Sequence, residues 1–200
     1  VSTQSTGMFR SKTVMVGSIS TGKSSLIHRL IDNQFDANVT STTGALYFKK
    51  SIKLPNADVQ LNIWDTAGQE RFRSVSKMYF RNANIFVLVF DLNNIQTFND
   101  LSSWLQLIEE NCIDKYRVVL VGNKQDLLMD EQIIYKAKQF AEINKCEFFT
   151  TSCKQGNNVA DMFQRVAELS VELGCTNKEK IENSQVKVKQ IIKEQKQGCC

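Results

Sequence analysis

The chain has 200 residues, enough for one well-buried domain plus tails and too few for two domains of ordinary size. With 42% hydrophobic and 23% charged residues it has ordinary globular usage, which excludes a chain disordered throughout or a collagen-like repeat. A net charge of +4 is too mild, and its Lys and Arg residues too scattered, for a nucleic-acid-binding stripe, so nucleic acid is not expected as a partner.

In chain order, the apolar run 12–17 (KTVMVG) meets a glycine, and after Gly22 the residues Leu26, Ile27, Leu30 and Ile31 recur at helical spacing, which predicts strand, loop and helix. Residues 45–54 and 59–65 read as two strands of an antiparallel hairpin, joined by a turn at Pro55-Asn56-Ala57-Asp58. Residues 85–90 and 118–121 are continuous β-branched and aromatic runs, as expected of strands covered on both faces at the centre of a parallel sheet. Amphipathic helices are predicted over 97–110, 131–144 and 159–173, with a last strand at 147–151. Strand and helix therefore alternate, and the expectation is a three-layer α/β/α sandwich with ligand loops at the carboxyl ends of the strands.

From Gly174 the periodicity fails and lysines recur among Gln and Asn, so 174–200 is expected to be a flexible tail, with a second flexible segment at 1–9 around a domain at 10–173. Glu179, Glu182 and Glu194 interrupt the tail lysines, which favours a solvated linker over a polybasic lipid clamp. No apolar run approaches the roughly 20 residues of a membrane-spanning helix. The Ser/Thr-rich start lacks the pattern of a secretory leader, so the protein is expected on the cytosolic side. Cys112, Cys146, Cys153 and Cys175 match no zinc spacing and read as free thiols.

Three loops carry chemistry. Gly17-Ser18-Ile19-Ser20-Thr21-Gly22-Lys23-Ser24 fits G-x-x-x-x-G-K-[ST] between a strand and a helix. Backbone N–H groups and the helix N-terminus would face the phosphates of a nucleoside triphosphate, Lys23 would add a charge at the β and γ groups, and Ser24 would offer a hydroxyl to Mg²⁺. Asp65-Thr66-Ala67-Gly68-Gln69-Glu70 follows a strand, so Asp65 can hold the magnesium shell, the Gly68 N–H can meet the γ-phosphate and Gln69 can orient the attacking water. In Asn123-Lys124-Gln125-Asp126 the Asp126 carboxylate can accept both the ring N–H and the amino group of guanine, a donor pair that adenine lacks. Asn123, Lys124 and Asp126 thus disfavour an ATPase or kinase.

With these loops in this order the sequence resembles a small Ras-superfamily GTPase, and most of all the Rab family. Ile63-Trp64-Asp65-Thr66-Ala67-Gly68-Gln69-Glu70-Arg71-Phe72, Met78-Tyr79-Phe80-Arg81-Asn82-Ala83 and Leu88-Val89-Phe90-Asp91 carry that resemblance over about residues 10–173. It implies the small G-protein fold, with a six-stranded, mostly parallel sheet and one antiparallel edge strand. By the same resemblance Ser20, Thr21, Gly22, Lys23, Ser24 and Ser25 bind phosphate, Phe35 stacks on the base, and Ser152, Cys153 and Lys154 form the last base loop. Thr42 joins Ser24 and Asp65 on Mg²⁺, and Lys23 and Gln69 serve hydrolysis. Tyr47, Trp64 and Tyr79 fall on an aromatic triad that Rabs use to read partners, or else form a packed cluster only. His28, the only histidine, reads as structural.

The terminal Cys199 and Cys200 resemble the double cysteine on which Rabs carry two geranylgeranyl groups, and two lipid chains anchor stably where one binds marginally. The implied ligands are GTP, GDP and Mg²⁺. The implied partners are effectors, an exchange factor, a GTPase-activating protein, a Rab escort protein and a GDP-dissociation inhibitor. A monomer is expected, cycling between cytosol and the cytoplasmic face of an intracellular membrane. Ile19 and Ser20 stand where the family carries small residues and a glycine, Thr43, Ala45 and Leu46 alter the effector stretch, and Cys153 replaces an alanine. Two readings therefore stand: a GTP-hydrolysing switch in membrane trafficking, supported by Gln69, or a slow or non-hydrolysing GTP-bound adaptor, supported by Ile19.

Overall fold

The computed structural model describes residues 8–37, 42, 44–67, 78–127 and 131–175. Six strands form one sheet in the order β2-β3-β1-β4-β5-β6: β1 (Met8–Val16), β2 (Ala45–Leu54), β3 (Ala57–Thr66), β4 (Ile85–Asp91), β5 (Arg117–Asn123) and β6 (Glu147–Thr151). Only β2, at the edge, runs antiparallel to its neighbour, and the other pairs are parallel. The helices are α1 (Lys23–Asp32), α2 (Ile95–Asn99), α3 (Leu101–Asn111), α4 (Glu131–Ile143) and α5 (Val159–Glu172).

Successive residues of a strand face opposite sides, and β1 shows the consequence. Val14 and Val16 join a buried cluster with Trp104 and Ile108 of α3 and Ala137 of α4. Met15 joins the opposite cluster, with Leu26 and Ile27 of α1 and Phe163 and Val166 of α5. All seven residues of β4 are buried, as its run without alternation predicts. The sheet is thus sandwiched between two helical layers, and its strands end at one edge where the loops meet.

Three differences from the sequence reading bear on the architecture, beyond shifts of a residue or two at other element ends. β1 begins at Met8, four residues before the apolar run and inside the segment expected to be flexible, because pairing from Met8↔Asp58 onward extends it past the residues that can be buried. The hairpin turn is two residues, Pro55 and Asn56: Ala57 and Asp58, read as turn formers, pair with Leu54 and Lys53 and begin β3. The helix expected over 97–110 is two helices, α2 and α3, meeting at Asp100, which keeps right-handed helical angles (φ −73, ψ −13). The apolar spacing runs unbroken through such a junction. His28 packs edge-on against Phe48 at 5.7 Å between ring centroids, a structural role. Cys112, Cys146, Cys153 and Cys175 are free thiols.

Candidate functional site

The phosphate loop leaves β1 at Gly17, where the chain passes so close to β4 that an added Cβ would lie 2.1 Å from the Val89 carbonyl oxygen. It enters α1 at Gly22 (φ +96), whose Cβ would meet the Asn123 side chain at 2.2 Å, so glycine is required by both space and backbone angle. No side chain caps α1, and its first turn holds no acid, which leaves its N–H groups available to an anion. Lys23 is buried and its Nζ donates to the carbonyls of Gly17 (2.8 Å) and Ser18 (2.9 Å). Burial lowers its pKa to about 8, against the nearby Asp65 charge that raises it. Ser20 holds a left-handed backbone (φ +61), a strain of about 1 kcal/mol that a glycine would avoid.

Beside Lys23, three oxygen-bearing side chains from three parts of the chain converge. Ser24 Oγ donates to Asp65 Oδ2 at 2.5 Å and lies 3.0 Å from Thr42 Oγ1, which in turn donates to the same Asp65 oxygen at 3.2 Å. Asp65 is fully buried at the end of β3, and its Oδ1 has no hydrogen-bond partner among the described residues. Burial pushes its carboxyl up, while the Ser24 bond, the Lys23 charge and the Thr42 bond pull it down. Hard oxygens with one carboxylate, and no cluster of three or more His, Cys, Asp or Glu among the described residues, fit Mg²⁺, which takes few protein ligands and completes its octahedron with water and phosphate.

At the other end of the cavity Asn123 is buried and joins two loops: Nδ2 donates to Thr21 O (2.9 Å), and Oδ1 accepts from Thr151 Oγ1 (3.1 Å) and Cys153 Sγ (3.4 Å). Ser152 Oγ donates to Asp126 Oδ1 at 2.5 Å and so fixes that carboxylate. Burial raises the Cys153 thiol to about 11, so at neutral pH it stays protonated and able to donate. Lys124 has a left-handed backbone (φ +68) and pairs with Asp91 at 2.7 Å.

A cavity of about 480 Å³ connects the two ends. Ser20, Gly22, Lys23, Ser24, Ser25, Phe35, Thr42, Asn123, Lys124, Asp126, Cys153 and Lys154 line it. Phe35, 40% exposed, is an aromatic at the rim. Thr21, Asp65 and Ser152 stand behind this wall and act through the bonds above. Gly68, Gln69, Cys199 and Cys200 lie outside the described residues. Sequence reasoning missed Asp36, Ala37, Thr66 and Leu127 in the lining, and also Arg29, whose guanidinium donates to the carbonyls of Cys153 (2.8 Å) and Lys154 (2.9 Å). Arg29 had no signal: the base loop it holds is 124 residues away.

The Ras family, as a sequence family, matches residues 12–172. The chain belongs to the Ras family. Its relatives there are Rab proteins: Ras-related protein Rab-4B of Homo sapiens is 38% identical over 160 residues, which cover 80% of this chain and 75% of that one. Ras-related protein Rab-2B of Dictyostelium discoideum is 38% identical over 158 residues, 78% of each chain. Ras-related protein Rab-36 of Mus musculus is 37% identical over 174 residues, 85% of this chain and 65% of that one. The protein is a divergent Rab-like small GTPase of membrane trafficking that binds GTP, GDP and Mg²⁺ and hydrolyses GTP to GDP and phosphate. These relatives favour the hydrolysing switch over the adaptor.

Proposed function

We propose that the cavity is the guanine-nucleotide site and that its residues divide the work as follows. Backbone N–H groups of 20–25 and the Lys23 ammonium receive the phosphates, Phe35 stacks on the base, and Asp126, with Lys124 and the 152–154 loop beside it, selects guanine. Ser24, Thr42 and Asp65 hold Mg²⁺, which when bound neutralises the β- and γ-phosphate oxygens. Gln69 orients the water that attacks the γ-phosphate, and Lys23 stabilises the charge that develops there. Thr42 and the Gly68 N–H report the γ-phosphate, so its loss releases both segments and changes the surface shown to partners.

The observation that carries this reading is the convergence of Ser24, Thr42 and the buried Asp65 carboxylate next to Lys23, with Asp65 Oδ1 lacking a hydrogen-bond partner among the described residues. The wider assignment is a nucleotide domain at 10–173 and a tail at 174–200 that carries lipid on Cys199 and Cys200, so that a monomer cycles between cytosol and the cytoplasmic face of an intracellular membrane. Its partners are effectors, an exchange factor, an activating protein, an escort protein and a GDP-dissociation inhibitor. Tyr47, Trp64 and Tyr79 pack in tilted pairs at 5.1 and 5.2 Å between centroids, and Tyr47, 45% exposed, supports their service as a partner-reading surface. Single-turnover hydrolysis tests the core of the assignment: the wild type converts GTP in Mg²⁺ but not in excess EDTA, and Gln69→Leu is slower. Turnover that ignores EDTA, or that is as fast with ATP, contradicts it.

A further inference from the structure

Ser18 is the second residue of the phosphate loop, and several of the loop's bonds pass through it. Its carbonyl accepts from Lys23 Nζ (2.9 Å) and Thr21 Oγ1 (2.9 Å). Its hydroxyl, in a buried residue, donates to Asp100 Oδ2 at 2.6 Å, and Trp104 Nε1 donates to the Ser18 Oγ itself at 3.4 Å. Asp100 is itself held at the junction of α2 and α3: its N–H donates to Gln96 O (3.1 Å), and its carbonyl accepts from Trp104 N (3.2 Å) and Ser103 Oγ (2.8 Å). Trp104 is buried in the core, so the junction is anchored to the packed interior.

The other end of this segment reaches the base loop. Asp91, where β4 ends, pairs with Lys124 at 2.7 Å, and Asn93 Nδ2 donates to Lys124 O at 3.0 Å. Thr97 Oγ1 receives the Asp91 N–H at 2.9 Å and donates to Asn94 O at 2.7 Å, tying that end into α2. Residues 91–104 thus form one strut with a hydrogen-bonded foot on each of the two loops that meet at the cavity.

We propose that Asp100 is a positioning residue: as the acceptor for Ser18 Oγ it fixes the phosphate loop to this strut and so slows release of bound nucleotide. The inference rests on the cavity being the nucleotide site. A short O–H···O⁻ bond is among the stronger hydrogen bonds, and its loss leaves Ser18 free to rotate and the carbonyl that receives Lys23 less firmly placed. The need is for an acceptor at this point, so an amide oxygen can replace the carboxylate.

The test is release of fluorescently labelled GDP from the full chain, chased with excess GDP. Asp100→Ala and Ser18→Ala should each speed release about tenfold, as expected for loss of one charge-assisted bond. The double variant should be no faster than either single one, because both remove the same bond. Asp100→Asn should stay within about threefold of the wild type, and Gln96→Ala, which removes only a 3.5 Å contact to the other carboxylate oxygen, should not change release. Release unchanged in both alanine variants, a double variant at the product of the two, or Asp100→Asn as fast as Asp100→Ala would each overturn the proposal. Should Asp100→Ala fail to fold, Ser18→Ala and Asp100→Asn decide alone. Failure of the wild type to bind labelled GDP would instead overturn the reading of the cavity, which separates the two claims.

Discussion

Ile19 lies at the edge of the cavity, 42% exposed, in a loop whose next residue already carries a left-handed backbone. By resemblance to Ras-type complexes its position looks toward the γ-phosphate and the space an activating protein's arginine enters. A β-branched side chain there is stiff and cannot withdraw by a change of χ1 alone. Displacements near 1 Å can cost about 100-fold in rate, so bulk at this point should slow a reaction that depends on placing water and arginine. Ile19→Ser is expected to hydrolyse GTP faster than the wild type in single-turnover assays, with and without activator, and equal rates would show that the loop accommodates isoleucine. A second residue-scale prediction concerns Thr13 in β1. Its hydroxyl is fully buried and has no hydrogen-bond partner among the described residues, and Ile63 and Ile85 flank it on the neighbouring strands. Thr13→Val keeps the shape and removes an unsatisfied polar group, so it should raise stability by about 1 kcal/mol, read as a rise in melting temperature of about 2–4 °C. A fall would mean that the hydroxyl is satisfied after all.

At the scale of elements, the sequence reading succeeds where burial writes a pattern and errs where pairing or helix geometry does not need one. β2 ends where predicted, and β4 and β5 extend their apolar runs by a residue or two, because their residues alternate or are covered on both faces. The first residues of β1 carry no such pattern, since they are held by hydrogen bonds to β3 rather than by burial. The junction at Asp100 is invisible for the opposite reason, as a residue with helical angles leaves the apolar period intact. The glycines of the phosphate loop are legible as a motif, but why they are needed is a tertiary fact. Gly22→Ala would push a Cβ into the Asn123 amide and break the Asn123 bond to Thr21 O, so it should weaken GTP and GDP binding alike by at least tenfold in equilibrium titration. Undiminished affinity would mean that the two loops are not coupled through Asn123.

For the whole molecule, the candidate site was readable because its loops each carry a short string tied to phosphate, metal or base. Asp100 and Arg29 were not, because each acts on a loop remote in sequence through a side chain that no string requires. Attachment to membranes belongs to this scale too. Among the described residues no helix is long and apolar enough to cross a bilayer; the attachment proposed above is through lipid at Cys199 and Cys200. Replacing both by Ser should move the protein to the soluble fraction with nucleotide binding intact, and each single replacement should leave weaker, reversible attachment, since one chain contributes about half the buried CH₂ groups at roughly 0.8 kcal/mol each. Cell-derived protein with no lipid mass on either cysteine would end that assignment. The central claim is guanine selection in a built phosphate and metal site, and Asp126 tests it most directly because Ser152 holds its carboxylate at the cavity wall. An amide there can no longer accept from both guanine N–H groups but complements the oxygen of xanthine. Competition binding of GTP against xanthosine triphosphate should favour GTP in the wild type and reverse in Asp126→Asn, whereas a variant that binds GTP as the wild type does would contradict the account.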